Sequence, residues 1–301
     1  MEIGVLGPLS VDGGAVRLGS RDRIVLAALA MRSGEVLSAD QLADAVWHDR
    51  QPPSWNKNLQ GCVVRLRKAL GQDAIETSPQ GYRLAVQAHV VDGQRFQRLV
   101  GRGRELLTLG ESERAMYTLG QALALWRGRP LVELEEWEPG AIEAGRLEEL
   151  RLEAQELRLE AALHAGRHRE VLAEAKVMAT EAPLREQRWA FLALAEYRVG
   201  RQGDALRTVR QVRRMLVQEQ GLDPGPDIVS LEQAILRQDT SLLVDVASPE
   251  LSTVCPYRGL TPYDVDDAEG FFGRGADVAA CLERLGQQGV LAVVGPSGIG
   301  K

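Results

Sequence analysis

The sequence predicts a mainly α protein: a small α+β unit at the N-terminus, followed by an all-α domain of helical repeats. Three features carry this expectation. Short apolar runs near the N-terminus and between residues 75 and 86 are broken by Gly and Pro turn chemistry, as strands are. Three stretches between them have helical periodicity. From residue 91 to about 237 the chain becomes rich in Leu, Ala, Glu and Arg, and one motif returns after 34 residues. At 301 residues the chain has room for about two domains of roughly 150 residues.

The opening run Ile3-Gly4-Val5-Leu6-Gly7-Pro8-Leu9-Ser10-Val11 meets Asp12-Gly13-Gly14 and continues as Ala15-Val16-Arg17-Leu18, which reads as strand, turn and strand. Residues 21–32 form a largely buried helix that stops at Ser33-Gly34. A second helix starts at Ser38, where Ser38-x-x-Gln41 is a capping box, and it buries Leu42, Ala45 and Val46. Residues 48–53 contain two adjacent prolines, so a loop follows. Ser54 then caps a third helix.

In that third helix Leu59, Val63, Leu66 and Leu70 fall at steps of four, three and four, one apolar stripe that faces inward. The opposite face holds Lys57, Gly61, Val64 and Lys68, flanked by Asn58 and Arg65 on one side and Gln60 and Arg67 on the other. Residues 54–70 carry four cations and no acid, a footprint for phosphate contact. Taken alone, such a face also fits an ordinary solvated helix. Gly61 within it costs about 1 kcal/mol against alanine, which close approach to a groove wall would offset. Ile75-Glu76-Thr77, a turn at Ser78-Pro79-Gln80-Gly81, and Tyr82-Arg83-Leu84-Ala85-Val86 make a second hairpin directly after the helix.

Strands, three helices and a terminal hairpin are the order of a winged helix-turn-helix. Gly4-Val5-Leu6-Gly7-Pro8-Leu9, Arg65-Leu66-Arg67-Lys68-Ala69-Leu70-Gly71 and Gly81-Tyr82-Arg83-Leu84 resemble the OmpR-type winged helix of the Streptomyces antibiotic regulatory proteins. The resemblance implies that the third helix lies in the major groove of double-stranded DNA, with Lys57, Asn58, Gln60, Gly61, Val64 and Arg65 on the DNA side. It also implies that the wing, with Thr77, Ser78, Gln80 and Tyr82, reaches the adjacent minor groove or backbone. By side-chain chemistry Arg65 or Lys57 suits guanine, Asn58 or Gln60 suits adenine, and Arg67 and Lys68 suit phosphate. Ser78-Pro79-Gln80 stands where relatives often carry an arginine, and Val64 where they often carry a polar or basic residue.

Net charge is −6, which as an average argues against nucleic-acid binding. The acid is concentrated elsewhere: residues 1–90 hold 10 Lys and Arg against 9 Asp and Glu, whereas residues 238–301 hold 4 against 9. Cys62, Cys255 and Cys281 are far apart and without metal-ligand spacing, and His48, His89, His164 and His168 form no catalytic or zinc pattern, so free thiols and no metal site are expected. No stretch approaches the roughly 18 to 20 apolar residues needed to cross a bilayer, and Met1-Glu2-Ile3-Gly4 lacks signal-peptide character; the expected location is cytoplasmic, with no membrane partner.

The domain boundary is expected at 90/91. Ala165-Gly166-Arg167-His168-Arg169-Glu170-Val171-Leu172 and Val199-Gly200-Arg201-Gln202-Gly203-Asp204-Ala205-Leu206 are offset by the tetratricopeptide period. Residues 115–126, stopped by Arg127-Gly128-Arg129-Pro130, suggest a third, degenerate unit. Trp126, Trp137 and Trp189 are expected in helix packing. Ala124-Leu125-Trp126-Arg127-Gly128-Arg129-Pro130-Leu131, Arg146-Leu147-Glu148-Glu149-Leu150-Arg151, Pro183-Leu184-Arg185-Glu186 and Gly221-Leu222-Asp223-Pro224-Gly225-Pro226 resemble the bacterial transcriptional activator domain of the same family. That resemblance implies contact with RNA polymerase and a homodimer on direct DNA repeats.

Residues 238–254 read as a linker. Residues 290–294 read as a buried strand leading into Gly295-Pro296-Ser297-Gly298-Ile299-Gly300-Lys301, the G-x-x-x-x-G-K of a phosphate loop, with Gly295, Ser297, Gly298, Gly300 and Lys301 toward phosphate. The Ser or Thr that would follow, the helix and a downstream acid are missing, so residues 255–301 resemble the truncated start of a STAND-class NTPase; no cofactor is expected in this stretch and ATP is implied for a longer protein. The leading expectation is a sequence-specific transcriptional activator that controls secondary-metabolite genes and is not an enzyme. A nucleotide-driven signalling switch and a tetratricopeptide peptide-binding scaffold are the alternatives.

Overall fold

The computed structural model describes residues 1–243 together with Ala280, Cys281, Arg284 and Leu285. The chain divides into two compact units, Met1–Val244 and Asp245–Lys301. Of the second, those four residues, all helical, are described. Residues 244–254 of the expected linker, the strand at 290–294 and the phosphate-loop residues Gly295, Ser297, Gly298, Gly300 and Lys301 lie outside the described residues.

In the first unit β1 (Ile3–Gly4) pairs antiparallel with β2 (Ser10–Val11), Ile3 opposite Val11. This corrects the hairpin expected at Asp12-Gly13-Gly14. The reversal falls at residues 5–9, Asp12–Gly14 is a 3-10 turn, and residues 15–18 form no strand. Long-range hydrogen bonds override the local turn chemistry. The N–H groups of Val5 and Leu6 donate to the Asp92 carboxylate at 2.6 and 3.3 Å, while their carbonyls accept from the Leu131 and Arg127 N–H groups at 2.9 and 2.7 Å. All three partners lie in the segment after residue 90, so the chain at 5–6 is fixed by that segment and not by its own turn propensity.

Then come α1 (Ser20–Met31), β3 (Val36–Leu37), α2 (Ala39–Trp47), α3 (Trp55–Leu70), β4 (Ile75–Ser78) and β5 (Gly81–Leu84). The capping box at α2 is present: Ser38 Oγ accepts from the Gln41 N–H at 3.1 Å and Gln41 Oε1 accepts from the Ser38 N–H at 2.9 Å. Ser54 precedes α3 but does not cap its backbone. Its φ of −94° and ψ of 15° lie outside the extended region a capping residue needs, and its hydroxyl instead accepts from Asn58 Nδ2 at 3.3 Å. The terminal hairpin has Ser78 opposite Gly81 and Ile75 opposite Leu84. β3, too short to show alternation in the sequence, adds to β5, giving the order β3-β5-β4. That pairing needs a glycine at 81, because a Cβ there would sit 2.0 Å from the Leu37 carbonyl oxygen.

Seven helices follow: α4 (Asp92–Thr108), α5 (Ser112–Leu123), α6 (Glu138–His164), α7 (His168–Glu181), α8 (Glu186–Arg198), α9 (Gln202–Gln220) and α10 (Pro226–Arg237). The turns at Gly110, Gly166 and Gly200 are built alike, with φ of +74°, +75° and +83°. At each, the glycine N–H donates three residues back and the next N–H five back: Glu111 to Leu106, Arg167 to Ala162 and Arg201 to Glu196. This left-handed stop lets one helix fold onto the next. The degenerate unit expected at 115–126 therefore starts earlier, at Ser112, and its helix ends at Leu123, because the Leu125 and Trp126 N–H groups bond only three residues back.

The N-terminal unit and α4–α6 share one core. Leu26 and Leu29 of α1, Leu59 and Leu66 of α3, Phe96 and Val100 of α4, Leu119 of α5 and Leu147 of α6 belong to a single buried cluster. Trp126 stands edge-on to Phe96 at 5.3 Å, with the Arg151 guanidinium 4.7 Å over its ring. Trp137 Nε1 donates to Asp44 of α2 at 2.9 Å, and Glu133 accepts from both the Leu9 N–H and Arg23. Trp189 Nε1 donates to the Pro183 carbonyl at 2.8 Å. The three tryptophans pack and tie; they do not form a cage.

Candidate nucleic-acid interface

α3 is pinned by its inner face. Leu59, Cys62, Val63 and Leu66 are buried, and Leu70 is half-buried at the end of the stripe. Burying three aliphatic side chains contributes about 1.5–3 kcal/mol each, enough to fix which side looks out. On that outer side Lys57, Gln60 and Lys68 are exposed, Val64 is 63% exposed, and Asn58 and Gly61 are half-buried. Among the described residues neither lysine lies within ion-pair distance of a carboxylate. The Asn58 and Gln60 amides each make one 3.3 Å bond, Asn58 to Ser54 and Gln60 to Asn56.

The two arginines of α3 are engaged within the protein. Arg65 reaches back to α1, donating from Nε and Nη2 to the two carboxylate oxygens of Asp22 at 2.9 and 2.7 Å, and from Nη2 to Cys62 Sγ at 3.2 Å. Asp22 is 5% exposed, whereas the Arg65 side chain stays 57% exposed. Arg67 donates to the Ile75 carbonyl at 2.9 and 2.8 Å and to Thr77 Oγ1 at 2.7 Å, so it holds the base of the wing. At the wing tip Pro79 and Gln80 are exposed, and Ser78 Oγ accepts from the Gln80 N–H at 3.3 Å. Thr77 is exposed, and Tyr82 is half-buried against the core. Glu76 and Arg83 pair across the strands.

Asp22 and the wing anchor for Arg67 were missed by sequence reasoning. Asp22 sits between Arg21 and Arg23 in a run that reads as solvated charge, and its partner is 43 residues away. Burial of the Cys62 thiol, with the Asp22 carboxylate beside it, pushes its pKa up to about 11, which makes it unreactive. Burial of Asp22 by itself raises its pKa; hydrogen bonds from Arg65 and Cys62, with the charge of Arg65, outweigh that and hold it below the usual aspartate range. The folded value therefore lies under the unfolded one, so the contribution is present above the unfolded pKa and is lost as pH falls through the folded pKa. The stability difference between wild type and Asp22→Asn, read from urea unfolding, should be constant from neutral pH to about 5. It should then narrow below about pH 4.

Among the described residues no helix is long and apolar enough to cross a membrane, and no three metal-ligating side chains come together. A hairpin wing and an outward cationic helix, joined through one core to stacked helix pairs, define a winged-helix regulator of the DNA-binding kind. Three family models match the chain: transcriptional regulatory protein, C terminal, over residues 13–84; bacterial transcriptional activator domain over 91–236; and novel STAND NTPase 1 over 256–301. The chain is 35% identical to the transcriptional regulator RedD of Streptomyces coelicolor, over 82% of its own length and 73% of RedD. It is 34% identical to the regulatory protein DnrI of Streptomyces peucetius, over 83% and 97%. The protein belongs to the Streptomyces antibiotic regulatory protein family of transcriptional regulators.

The regulatory protein AfsR of Streptomyces griseus is 33% identical over 99% of this chain, which spans only 31% of that relative's length. A solved structure of Mycobacterium tuberculosis EmbR, in complex with a low affinity phosphopeptide, superposes with a TM-score of 0.74 at 29% identity, over 95% of this chain and 71% of that one.

Proposed function

We propose that the protein is a sequence-specific activator that binds direct repeats in promoters as a homodimer, recruits RNA polymerase and controls secondary-metabolite genes in the cytoplasm. Residues 1–90 are its DNA-binding domain and 91–237 its activator domain, closed by a 3-10 turn at Thr240–Leu242 whose Leu242 carbonyl accepts from Arg198, and 255–301 belong to a nucleotide-binding domain that takes ATP. One observation carries the reading: Lys57, Gln60, Val64 and Lys68 are exposed along one side of α3 while its leucines are buried. That side has the dimensions and charge of an element that enters a major groove.

The residues divide by role. Lys57 and Lys68 neutralise phosphates, Asn58 and Gln60 read adenine edges, and Val64 meets a thymine methyl over Gly61. Arg65 faces a guanine from its anchored position. Arg67, its Nε and Nη2 donors turned to Ile75 and Thr77, orients the wing and can offer only Nη1 to a phosphate. Ser78, Gln80, Thr77 and Tyr82 set the wing beside the backbone.

The test is binding of the purified chain to its own upstream region, with protection mapped along the duplex. Protection of two direct repeats, with affinity falling steeply as salt rises, is the expected outcome. Equal affinity for a shuffled duplex would remove the sequence-specific reading and leave the helical repeats as the functional part.

A further inference from the structure

Asp22 is a buried acid beside the helix read here as the DNA-reading element, and its position has a cost. A carboxylate at 5% exposure, 43 residues from Arg65 in sequence, subtracts positive charge from a surface that should attract phosphate. Its geometry shows what it does in return. The Asp22 oxygens take the Nε and Nη2 edge of Arg65 as a fork, and Cys62 Sγ takes a further contact from Nη2. Of the five guanidinium donors, those on Nη1 make none of these bonds, and the side chain is 57% exposed. Nη1 lies across Gly61, 3.3 Å from where a Cβ would stand, so the glycine gives the side chain room to lie down on the helix.

We infer that Asp22 is a positioning residue for sequence reading: it clamps Arg65 so that one nitrogen is presented at one place on the α3 surface. The inference rests on α3 being the DNA-reading helix. An unclamped arginine is long and flexible and can swing to whichever phosphate is nearest, gaining affinity for any sequence. A clamped one has lost that freedom before DNA arrives and contributes only where an acceptor stands opposite Nη1. Asp22 thus trades general affinity for discrimination without touching DNA.

The experiment uses duplexes selected from random-sequence DNA by the wild-type chain, together with single-base variants and a shuffled control. Binding of wild type, Asp22→Asn, Arg65→Ala and the double variant is measured over a range of salt, with thermal unfolding confirming that each is folded. In Asp22→Asn the preference at one base position should fall about tenfold. Affinity for the shuffled duplex should rise, and the slope of log K against log salt should steepen by about 0.9, the signature of one more phosphate contact. Loss of the carboxylate's charge by itself would raise affinity for every duplex with or without Arg65, so the fall in preference and the steeper salt slope are the diagnostic readouts. In the Arg65→Ala background these effects should vanish, since Asp22 acts through Arg65.

If Arg65→Ala alters preference while Asp22→Asn leaves preference and salt slope unchanged, the inference is overturned. The same holds if Asp22→Asn acts equally with and without Arg65. If the wild type selects no sequence, the reading of α3 itself fails, a result distinct from either. Should Asp22→Asn not fold, Gly61→Ala supplies the second variant: its Cβ crowds Nη1 and should shift preference at the same base position, and no change there would contradict the clamp.

Discussion

Arg188→Ala should lower the free energy of unfolding by about 3–5 kcal/mol, the largest single-residue loss expected in the helical domain. Arg188 of α8 is fully buried. Its Nε donates to Glu156 at 2.8 Å, Nη1 to the Met178 carbonyl at 3.1 Å, and Nη2 to Gln155 at 3.1 Å. One guanidinium thus ties the inner side of α6 to the end of α7. Truncation removes the donors, opens a cavity and leaves Glu156, 7% exposed, with Arg185 as its remaining cation. Replacing both partners together, Arg188→Met with Glu156→Leu, should recover much of the loss, because the penalty comes from a buried carboxylate stripped of its buried partner and from the cavity, and not from the absence of the pair. Urea midpoints of the three variants read this directly.

Replacing Lys57 and Lys68 together by alanine should cut DNA affinity by about thirtyfold at 0.15 M salt and make the salt slope shallower by about 1.8. Both lysines are exposed, and among the described residues neither is engaged by a carboxylate, so folding stability should change by less than about 0.5 kcal/mol. The loss should be the same for specific and shuffled duplexes, since phosphates carry no sequence. Fluorescence anisotropy at four or five salt concentrations measures both quantities.

Elements fixed by local chemistry were legible in the sequence. The Ser38–Gln41 box, the β4–β5 turn, the inward stripe of α3 and the repeat marked by Gly166 and Gly200 each depend on residues a few positions apart. The Ser54 cap failed locally, its hydroxyl taken by Asn58, and the first hairpin failed for a tertiary reason. Asp12-Gly13-Gly14 has strong hairpin propensity, yet the chain turns earlier because Asp92, Arg127 and Leu131 take the backbone of Val5 and Leu6. Local propensity is worth about 1 kcal/mol, less than four buried hydrogen bonds reaching across the fold.

The exposed face of α3 was legible in the sequence, and the internal partners of its arginines were not. Periodicity gave the outward face of α3, but the engagement of Arg65 by Asp22 and of Arg67 by Ile75 and Thr77 is tertiary. Both arginines read as free side chains from sequence for that reason. Cys62 was legible as a thiol and not as core, since it lies one position off the leucine stripe and its burial depends on α1 packing beside it.

The central claim is that the outer face of α3 enters a DNA groove. A cleavage reagent attached at Val64→Cys, in a chain whose Cys255 and Cys281 are replaced by serine, tests it directly, because Cys62 is buried and its thiol stays protonated. Strand cuts should fall within each protected repeat, and the same reagent at Val177→Cys on α7 should cut nothing inside them. Cuts from position 177 with none from position 64 would contradict the account.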